Sequence, residues 1–329
     1  MNKTFFSITI FGLLLVSSLF VFSVSSQQVE AASSGTTLYV GGTAPGNYSK
    51  IQYAINNASK NDTIYVYNGI YYENIVINVE NLSLIGESRE NTTIDGSENG
   101  DVVYISAINV TIKNFTIQNS GNDLTMWDAG IDVQAKHANI CKSIIKNNYI
   151  GIGLINPGDA TEINSNEISN NEYSGLIIST YNNHMERNII EGNYVGVIIS
   201  ARNGNQIERN QIIYNDVGLK FDECLASINK FEILSNEVSY NEIGLESSIP
   251  IFSDYCQIHI HKNNFIKNNR NKFMYINDKF ENNYWDDWIG FGPYWIRGLP
   301  FVKIFPNFRF ILHFNFDHSP GSEPYDIDF

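Results

Sequence analysis

The segment 188–215, NIIEGNYVGVIISARNGNQIERNQIIYN, carries the pattern that decides the fold of this chain. It opens with Asn188, has a second asparagine at Asn193, and starts again with Asn210 and Asn215. After each second asparagine a glycine follows, and then apolar residues at alternate positions. Because the unit returns after 22 residues, from Asn188 to Asn210, the segment is one period of an internal repeat.

The same unit recurs along the middle of the chain. Successive units are separated by 22, 22, 26 and 27 residues, and Ser143 opens an earlier, degenerate copy. The first asparagines are Asn166, Asn188, Asn210, Asn236 and Asn263, and the second ones are Asn148, Asn171, Asn193, Asn215, Asn241 and Asn268. The glycines that follow are Gly151, Gly175, Gly196, Gly218 and Gly244.

A period near 22 residues predicts a solenoid of short strands. One unit is too short to bury a core alone, but stacked turns can pair equivalent strands in parallel, about 4.8 Å apart, with alternate apolar residues inside. Asparagine is expected at the bends because it tolerates left-handed backbone angles, and stacked asparagines can hydrogen-bond from coil to coil. Glycine is expected at the next bend. We therefore predict an all-β fold, a right-handed parallel β-helix, and not a leucine-rich repeat or a sandwich.

Both ends of the repeat region are expected to be capped. Ser49-Lys-Ile-Gln52 has the form of a capping box, which predicts a short helix whose apolar face covers the first coil. That face would consist of Ile51, Ala54, Ile55 and Ala58. From Asn283 the sequence becomes rich in aromatic residues, which predicts a cap over the other end.

The first residues have the features of a secretory signal. Lys3 precedes a long apolar run, and small residues follow it. An uncleaved membrane anchor is the alternative, because the run is marginally long enough to span a bilayer. We predict residues 1–31 as a signal peptide, 32–282 as the β-helix and 283–329 as the cap. The expected location is secreted, extracellular or cell-surface, with no membrane span after cleavage.

The charge of the chain limits its partners. It has 21 basic and 35 acidic residues, a net charge of −14. Nucleic acid is excluded because it requires a basic face, and polyanionic polysaccharide is disfavoured unless a cation bridges the two. The partners that remain are surface glycans or other envelope proteins.

Candidate N-glycosylation sites are dense in the first third of the chain. In a secreted protein, Asn-x-Ser/Thr marks an acceptor on an exposed turn. An asparagine-rich chain also forms such motifs by chance, and some of these asparagines can belong to the stack. The candidates are Asn47, Asn57, Asn61, Asn81, Asn91, Asn109 and Asn114.

Several motifs resemble one known family. The first coil, Asn68-Gly-Ile-Tyr-Tyr-Glu-Asn-Ile-Val-Ile-Asn78, the Asn-x-Ile repeats and the closing motifs Asn283-Tyr-Trp285 and Phe316-Asp-His-Ser-Pro320 resemble secreted NosD-like proteins, especially archaeal surface versions. These belong to the pectin-lyase-like superfamily. The resemblance covers roughly Leu38 to Asp326 and implies the β-helix fold. Because this superfamily includes lyases, hydrolases, esterases, adhesins and copper-maturation accessory proteins, the resemblance leaves the activity open.

One candidate catalytic cluster follows from the repeat register. The second residue after each repeat glycine should point outward, which gives Asp132, Gly153, Ile177, Ile198, Lys220 and Glu246; the fourth gives Gln134, Ile155, Ser179, Ser200, Asp222 and Ser248. Lys220, Asp222 and Glu246 would then cluster. Paired carboxylates suit acid–base chemistry or calcium, and a lysine of lowered pKa could act as a base. A salt-bridged surface is the simpler interpretation.

Two further candidate sites lie elsewhere. Trp127, beside Asp128 and Asp132, could stack on a sugar ring and bind its hydroxyls. His259 and His261 share one face of a strand, and the family resemblance suggests copper there. For each site the simpler interpretation is an ordinary polar loop or strand.

The function expected from sequence alone is a non-enzymatic surface protein, an adhesin, a scaffold or a carbohydrate-binding protein. A polysaccharide lyase or hydrolase is one alternative, and a NosD-like copper-accessory protein is another. No catalytic signature of the superfamily's lyases, hydrolases or esterases occurs in full. The sequence requires no cofactor, and calcium and copper are the candidates.

Overall fold

The computed structural model describes residues 35–123, 125–155, 157–224, 228–247, 256–273, 279–287, 294–295, 301–304, 310–313, 316–317 and 319–329. Here the chain winds into about ten turns of a parallel β-helix with three parallel sheets and very little helix. The predicted fold class is confirmed. The predicted signal segment 1–31 lies outside the described residues. Within them, no helix is both long enough and apolar enough to cross a membrane.

The elements follow one another in short steps. The single described helix, α1, is Ile51–Asn57. The strands of the first half are β1 Thr37–Val40, β2 Thr63–Val66, β3 Gly69–Tyr72, β4 Ile75–Ile77, β5 Ser83–Gly86, β6 Thr92–Asp95, β7 Val103–Ile105, β8 Thr111–Lys113, β9 Thr116–Gln118, β10 Ala129–Val133, β11 Asn139–Cys141, β12 Ile144–Lys146, β13 Ile150–Leu154, β14 Glu162–Asn164, β15 Glu167–Ser169, β16 Ser174–Ile178 and β17 His184–Glu186. Those of the second half are β18 Ile189–Glu191, β19 Val195–Ala201, β20 Gln206–Glu208, β21 Gln211–Ile213, β22 Val217–Cys224, β23 Ile228–Leu234, β24 Glu237–Ser239, β25 Ile243–Ser247, β26 Cys256–His261, β27 Asn264–Ile266, β28 Arg270–Phe273, β29 Lys279–Glu281, β30 Tyr284–Trp285, β31 Tyr294–Trp295, β32 Phe301–Ile304, β33 Phe310–His313 and β34 Phe316–Asp317.

From β2 to β30, every third strand joins the same sheet. Sheet I has the order β1-β2-β5-β8-β11-β14-β17-β20-β23-β26-β29-β34-β31, sheet II the order β3-β6-β9-β12-β15-β18-β21-β24-β27-β30, and sheet III the order β28-β25-β22-β19-β16-β13-β10-β7-β4. Strands β32 and β33 form a separate antiparallel pair. Each coil therefore contributes one strand to each sheet.

The core is a continuous apolar column inside the three sheets. In sheet II, Ile145, Ile168, Ile190 and Ile212 occupy one register position on successive coils and are almost completely buried. The column ends with Phe265 and Trp285, whose rings stack 4.1 Å apart. Removing these side chains from water is the main favourable term for such a fold.

The repeat asparagines form two buried ladders along the axis. In the first ladder, between sheets I and II, the Asn188 side chain donates to Asn210 Oδ1 at 2.9 Å and to Ile163 O at 2.8 Å, while its own Oδ1 accepts from Asn166. The second ladder, between sheets II and III, repeats this through Asn171 and Asn193. The expected coil-to-coil hydrogen bonding of stacked asparagines is confirmed.

The expected reason for asparagine at the bends is wrong for the first ladder. The left-handed residue is the one just before the ladder asparagine: Ser165, Arg187, Arg209, Ser235 and Lys262 have φ values of 57°, 55°, 52°, 53° and 55°. The ladder asparagines are selected for their amide group. A side chain that both donates and accepts can satisfy the turn above and the turn below at once.

The repeat glycines also have a different role from the one expected. Gly175 and Gly196 do not have positive φ. A Cβ on Gly196 would lie 2.6 Å from Gly218 O, and one on Gly175 would lie 2.8 Å from Gly196 O. These glycines are needed because successive coils approach too closely at this point for a side chain to fit.

The helix α1 packs its apolar face on the first coil, but the predicted capping box that starts at Ser49 does not cap its N-terminus. Ile51, Ala54 and Ile55 are buried as predicted. The N-cap side chain makes no capping hydrogen bond. Instead the carboxylate of Glu73, from the first coil, accepts from Ile51 N at 2.9 Å and from Gln52 N at 3.1 Å. An acidic group at a helix N-terminus stabilises it by hydrogen bonding and by charge.

The other end of the first ladder closes on a carboxylate. Asp317 is fully buried, and its Oδ2 accepts from Asn283 N, from Asn283 Nδ2 and from Trp285 Nε1, each within 3.1 Å. Its Oδ1 accepts from Ser319 N. The segment that resembled the family's closing motif thus takes the place of one more ladder residue.

Replacing Asn188 by alanine should lower the free energy of unfolding by about 2–4 kcal/mol. The change leaves several buried groups without partners, and each costs about 1–3 kcal/mol. Urea unfolding followed by circular dichroism measures the loss. Asn57→Ala is the control, since its exposed side chain makes one bond to Tyr53 O, and it should cost less than about 0.5 kcal/mol. Equal losses in the two variants would contradict the ladder's role.

Candidate functional site

The outer face of sheet III carries two of the three predicted sites. Its register places Asp132, Gly153, Ile177, Ile198, Lys220 and Glu246 in one column, as read from the sequence. The second outward column is interrupted by a bulge. After Ile199 pairs with Phe221 the register shifts, and Ser200 pairs with Glu223 and not with Asp222. The bulge inserts the extra residue that brings Asp222 beside the groove described next.

A groove of about 350 Å³ lies on this face, a size at the lower end of small-molecule sites. Its floor is apolar: Ile177 and Ile198 point away from the core, yet they are only 4% and 3% exposed. Trp127 and Tyr173 form one wall, with ring centroids 6.4 Å apart in an edge-to-face arrangement. Tyr149 stacks on Tyr173 at 5.4 Å and holds that ring in place.

The rim of the groove is polar. The hydroxyl-bearing side chains of Ser179 and Ser200 and the carboxylate of Asp222 line it. Lys220 Nζ lies 3.1 Å from Asp222 Oδ1, so the two charges largely cancel. The site therefore has an apolar floor, aromatic walls and uncharged or charge-balanced polar groups at its edge.

Trp127 is held over the groove by a tightly bonded loop. Trp127 itself has a φ of 61°, a left-handed conformation that is rare for a bulky residue. Asp123 Oδ1 accepts from Thr125 N at 2.8 Å, and Asp128 Oδ2 accepts from Asp123 N at 3.0 Å. A Cβ at Gly121 would lie 2.2 Å from Asp128 Oδ2. Asp128, predicted to bind sugar, is buried in this loop and gives it its shape.

The charge state of Lys220 bears on the predicted catalytic cluster. Burial alone lowers the pKa of this ammonium group, but the hydrogen bond and charge of Asp222, with Tyr173 and Glu246, outweigh burial and raise the pKa above its usual value. A general base must be able to give up its proton near neutral pH. The lowered pKa that a catalytic lysine needs is therefore not found here.

Three carboxyl groups crowd together next to the Trp127 loop. Burial, together with the nearby charges of Asp132 and Asp128, raises the pKa of Asp101 to about 7 against the lowering effect of the hydrogen bond from Ala129 N. Burial likewise raises the pKa of Asp132, against a hydrogen bond from Gln134. Asp132 thus lies in the predicted column, with its carboxylate engaged by Gln134 at 2.9 Å.

The outer face of sheet I is different in character, with histidines and glutamates in place of the apolar groove. One column contains Glu162, His184, Gln206, Glu232 and His259 on successive coils. A second column, two residues further along each strand, contains Glu186, Glu208, Leu234, His261 and Glu281. Two groups on this face have the composition of a metal site.

The first group, around His184, is closed by ion pairs. His184 Nδ1 lies 3.2 Å from Glu162 and Nε2 lies 2.9 Å from Glu208. Glu208 also contacts Arg209 at 3.3 Å, and Glu186 contacts both Arg187 and Arg209. Since each ring nitrogen and each carboxylate already has a partner, this group forms a salt-bridged surface network.

The second group contains the predicted pair His259 and His261. Their rings stack with centroids 4.1 Å apart, and their ring nitrogens and a carboxylate oxygen of Glu232 lie within 4.8 Å of one another. Within the described residues, neither Nε2 has a hydrogen-bond partner, and both atoms are buried. Glu281 forms an ion-pair contact with His259 Nε2 at 3.5 Å, longer than an ordinary N–H···O hydrogen bond. Burial, with His259, lowers the pKa of His261, which favours the neutral, metal-binding form.

The candidate glycosylation sites differ in their availability. Asn57, Asn91 and Asn109 are exposed, and the others are partly buried: Asn47, Asn61, Asn81 and Asn114. Asn81 Nδ2 donates to Asn61 Oδ1 at 2.7 Å, and Asn109 Nδ2 donates to Asn81 Oδ1 at 2.9 Å. A glycan at Asn81 or Asn109 would attach to a nitrogen already used in this short stack. Glycosylation at these positions stays a prediction.

The structure brings the Trp127 loop and the Lys220–Asp222 pair to one groove. From the sequence they are predicted as two separate sites. Tyr149 and Tyr173 were missed. The signal was present, because both residues directly precede the sheet III strand, as does Tyr194. The His184 network was also missed, although its residues lie four and two positions before each ladder asparagine.

A protein-family model matches more than half of the chain. Residues 55–297 match the family model described as periplasmic copper-binding protein (NosD). No curated protein shows a significant sequence match.

Solved structures of similar fold include three carbohydrate-related proteins. Pectate lyase Pel9A has 14% identity and a TM-score of 0.62 over 76% of this chain and 74% of its own. XylC in complex with xylose has 11% identity and a TM-score of 0.57 over 75% and 69%. The catalytic unit of a GH87 α-1,3-glucanase from Streptomyces thermodiastaticus has 14% identity and a TM-score of 0.59 over 75% and 53%. At identities this low, the structural similarity establishes a shared fold and nothing more.

Asp101→Asn should remove a pH-dependent part of the stability. An acid whose pKa is raised on folding stabilises fully below about pH 4, and this contribution is lost as the pH rises to about 7. Asparagine keeps an acceptor for Ala129 N and has no charge to bury. At pH 8 the variant should be more stable by about 1–2 kcal/mol, a value reduced for partial solvent access. Urea unfolding from pH 4 to 8 measures this; parallel pH profiles for variant and parent would refute it.

Proposed function

This chain belongs to the NosD family of β-helix proteins, which are related in fold to pectin-lyase-like enzymes, and we propose that it is a non-catalytic surface protein that binds a neutral saccharide in the sheet III groove. The observation that carries the proposal is the combination of an apolar floor with an aromatic wall over it. Ile177 and Ile198 form the floor, and Trp127 with Tyr173 forms the wall.

A sugar ring matches this surface chemically. Its C–H face is apolar and packs on aromatic rings, while its hydroxyls lie at the edge and require hydrogen-bond partners. In the groove, Trp127 offers an exposed ring face, and Ser179, Ser200 and Asp222 offer donors and acceptors at the rim. The support comes from these side chains, since the likeness to XylC and Pel9A concerns the fold.

The charges favour a neutral ligand. The chain has a net charge of −14, which repels polyanionic glycans at a distance. Beside the groove Lys220 is paired with Asp222 at 3.1 Å, so the described residues there offer no unpaired cation to a uronate carboxylate. A neutral oligosaccharide avoids both costs.

The same pair favours binding over catalysis. A lysine held protonated by Asp222 is a poor general base for a lyase. The middle of the outward column is Gly153, Ile177 and Ile198, which offer no acid or nucleophile. Hydrolysis or elimination at Lys220, Asp222 and Glu246 is the second candidate, and it is an outcome of the experiment below.

The proposed location is outside the cytoplasm, with surface glycans or envelope proteins as partners. The family is described as periplasmic, and residues 1–31 have the sequence features of a secretory signal. A rigid solenoid would hold the groove at a fixed orientation on such a surface.

Trp127→Ala should weaken oligosaccharide binding by about 10-fold or more, because one aromatic contact is worth about 0.5–1.5 kcal/mol and the ring also buries apolar area. Calorimetry with cello-, xylo- and manno-oligosaccharides measures it, with oligogalacturonate as the charged comparator. The controls are Met126→Ala, from the same loop, and Tyr214→Ala, an exposed ring stacked on Tyr240 at 5.0 Å elsewhere. Both should bind like the parent.

Two results would overturn the proposal. One is the absence of binding by every neutral oligosaccharide, or binding that Trp127→Ala leaves unchanged. The other is turnover: mass spectrometry showing shortened or unsaturated products that disappear in Lys220→Ala and Glu246→Ala would make the chain an enzyme.

A further inference from the structure

We propose that the outer face of sheet I holds a divalent copper ion through the imidazoles of His259 and His261 and the carboxylate of Glu232. This cluster lies on a different sheet from the sheet III groove, and the inference does not depend on saccharide binding. It assigns specific donors in this chain to the metal that the family description names. The residues fit such an ion for four reasons.

The first reason is the state of the two imidazoles. A buried nitrogen without a hydrogen-bond partner costs about 1–3 kcal/mol, and within the described residues His259 Nε2 and His261 Nε2 are both in this state. Proteins seldom retain such groups without a use. A metal ion at the ring edges, within reach of both Nε2 atoms, would satisfy both nitrogens.

The second reason is proximity. The donor atoms of Glu232, His259 and His261 all lie within 4.8 Å of one another. An ion with donors at about 2.1 Å holds its ligand atoms roughly 3 to 4.2 Å apart, so closure requires these atoms, which lie within 4.8 Å of one another, to move inward by on the order of an ångström. Side-chain rotation can supply this, since His259 is 33% exposed and Glu232 lies at the surface.

The third reason is that the donors come from a rigid frame. Glu232 is in β23, the two histidines are in β26, and Glu281 is in β29, three neighbouring strands of one sheet. Glu281, 3.5 Å from His259 Nε2, adds negative charge beside the site. Ligands on regular strands keep their spacing with little loss of entropy on binding.

The fourth reason is the match between donor type and metal. Imidazole and carboxylate donors suit copper(II), zinc or nickel, and within this series copper(II) binds most tightly. Calcium requires six to eight oxygen ligands, which two imidazoles do not supply. Within the described residues, the cluster contains no thiolate or thioether, the donors that select copper(I).

The group around His184 shows why composition alone is not sufficient. It has the same residue types on the same face, but both ring nitrogens of His184 contact carboxylates, and Arg187 and Arg209 occupy Glu186. A metal ion would have to displace two arginines there. His184 is therefore the matched control for His259.

The test is titration of the full chain with copper(II), followed by calorimetry and electron paramagnetic resonance. We expect one tight equivalent whose spectrum shows coupling to two imidazole nitrogens. His259→Gln and His261→Gln should each weaken this equivalent at least 30-fold, and the double variant should lose it. His184→Gln should bind like the parent, and calcium should not compete.

The two histidine variants should fold like the parent, so that a loss of copper reports on the site itself. His259→Gln and His261→Gln remove buried nitrogens that make no hydrogen bond within the described residues, so the circular dichroism of both variants should match the parent. If the double variant still binds one tight equivalent with the same spectrum, or if His184→Gln abolishes it, the assignment is wrong. Loss of copper with an unchanged circular dichroism spectrum would support this site whether or not the sheet III groove binds a saccharide.

Discussion

The hydrogen bonds between stacked asparagines are the constraint on which the rest of this molecule depends. Each coil turns between sheets in the interior, where backbone N–H and C=O groups have no access to water. Asn188 and its equivalents satisfy these groups on both neighbouring coils. Because one side chain must meet the next at about 3 Å, the ladder fixes how each coil sits on its neighbour. A slip of one residue would unpair the ladder and expose the apolar columns together.

This registration gives the outer faces their chemistry. Residues at one repeat position are brought about 4.8 Å apart, so a column accumulates whatever the sequence places there. On sheet III the column is apolar in its middle and bordered by aromatic residues. On sheet I the equivalent columns are rich in histidine and glutamate. The same backbone therefore offers one face suited to an uncharged, partly apolar ligand and another suited to a cation.

The sequence predicted the repeat frame well because the frame is periodic. The fold, the buried asparagine ladders and the outward column from Asp132 to Glu246 follow from spacing alone. What it could not predict depends on contacts between distant coils. The helix cap comes from Glu73 and not Ser49, because the carboxylate is delivered by a neighbouring coil. The joining of Trp127 with Asp222 in one groove required a loop conformation and a bulge, neither of which has a periodic signal. The lack of a hydrogen bond to either Nε2 of His259 and His261 within the described residues is likewise a property of packing.

The carboxylate of Asp317 at the end of the first ladder gives the solenoid a polarity. From Asn166 to Asn263, each asparagine of the first ladder donates one amide hydrogen to the next ladder residue towards the C-terminal end, as from Asn188 to Asn210 and from Asn263 to Asn283, so these side-chain dipoles add along the axis as peptide dipoles do in a helix. The accumulated positive end meets a group that only accepts. Whole coils can thus be duplicated or deleted between the ends without altering this direction, whereas the terminal acceptor must stay. The number of coils can therefore change by whole repeats, whereas the last coil, which meets the terminal acceptor Asp317, has to be kept.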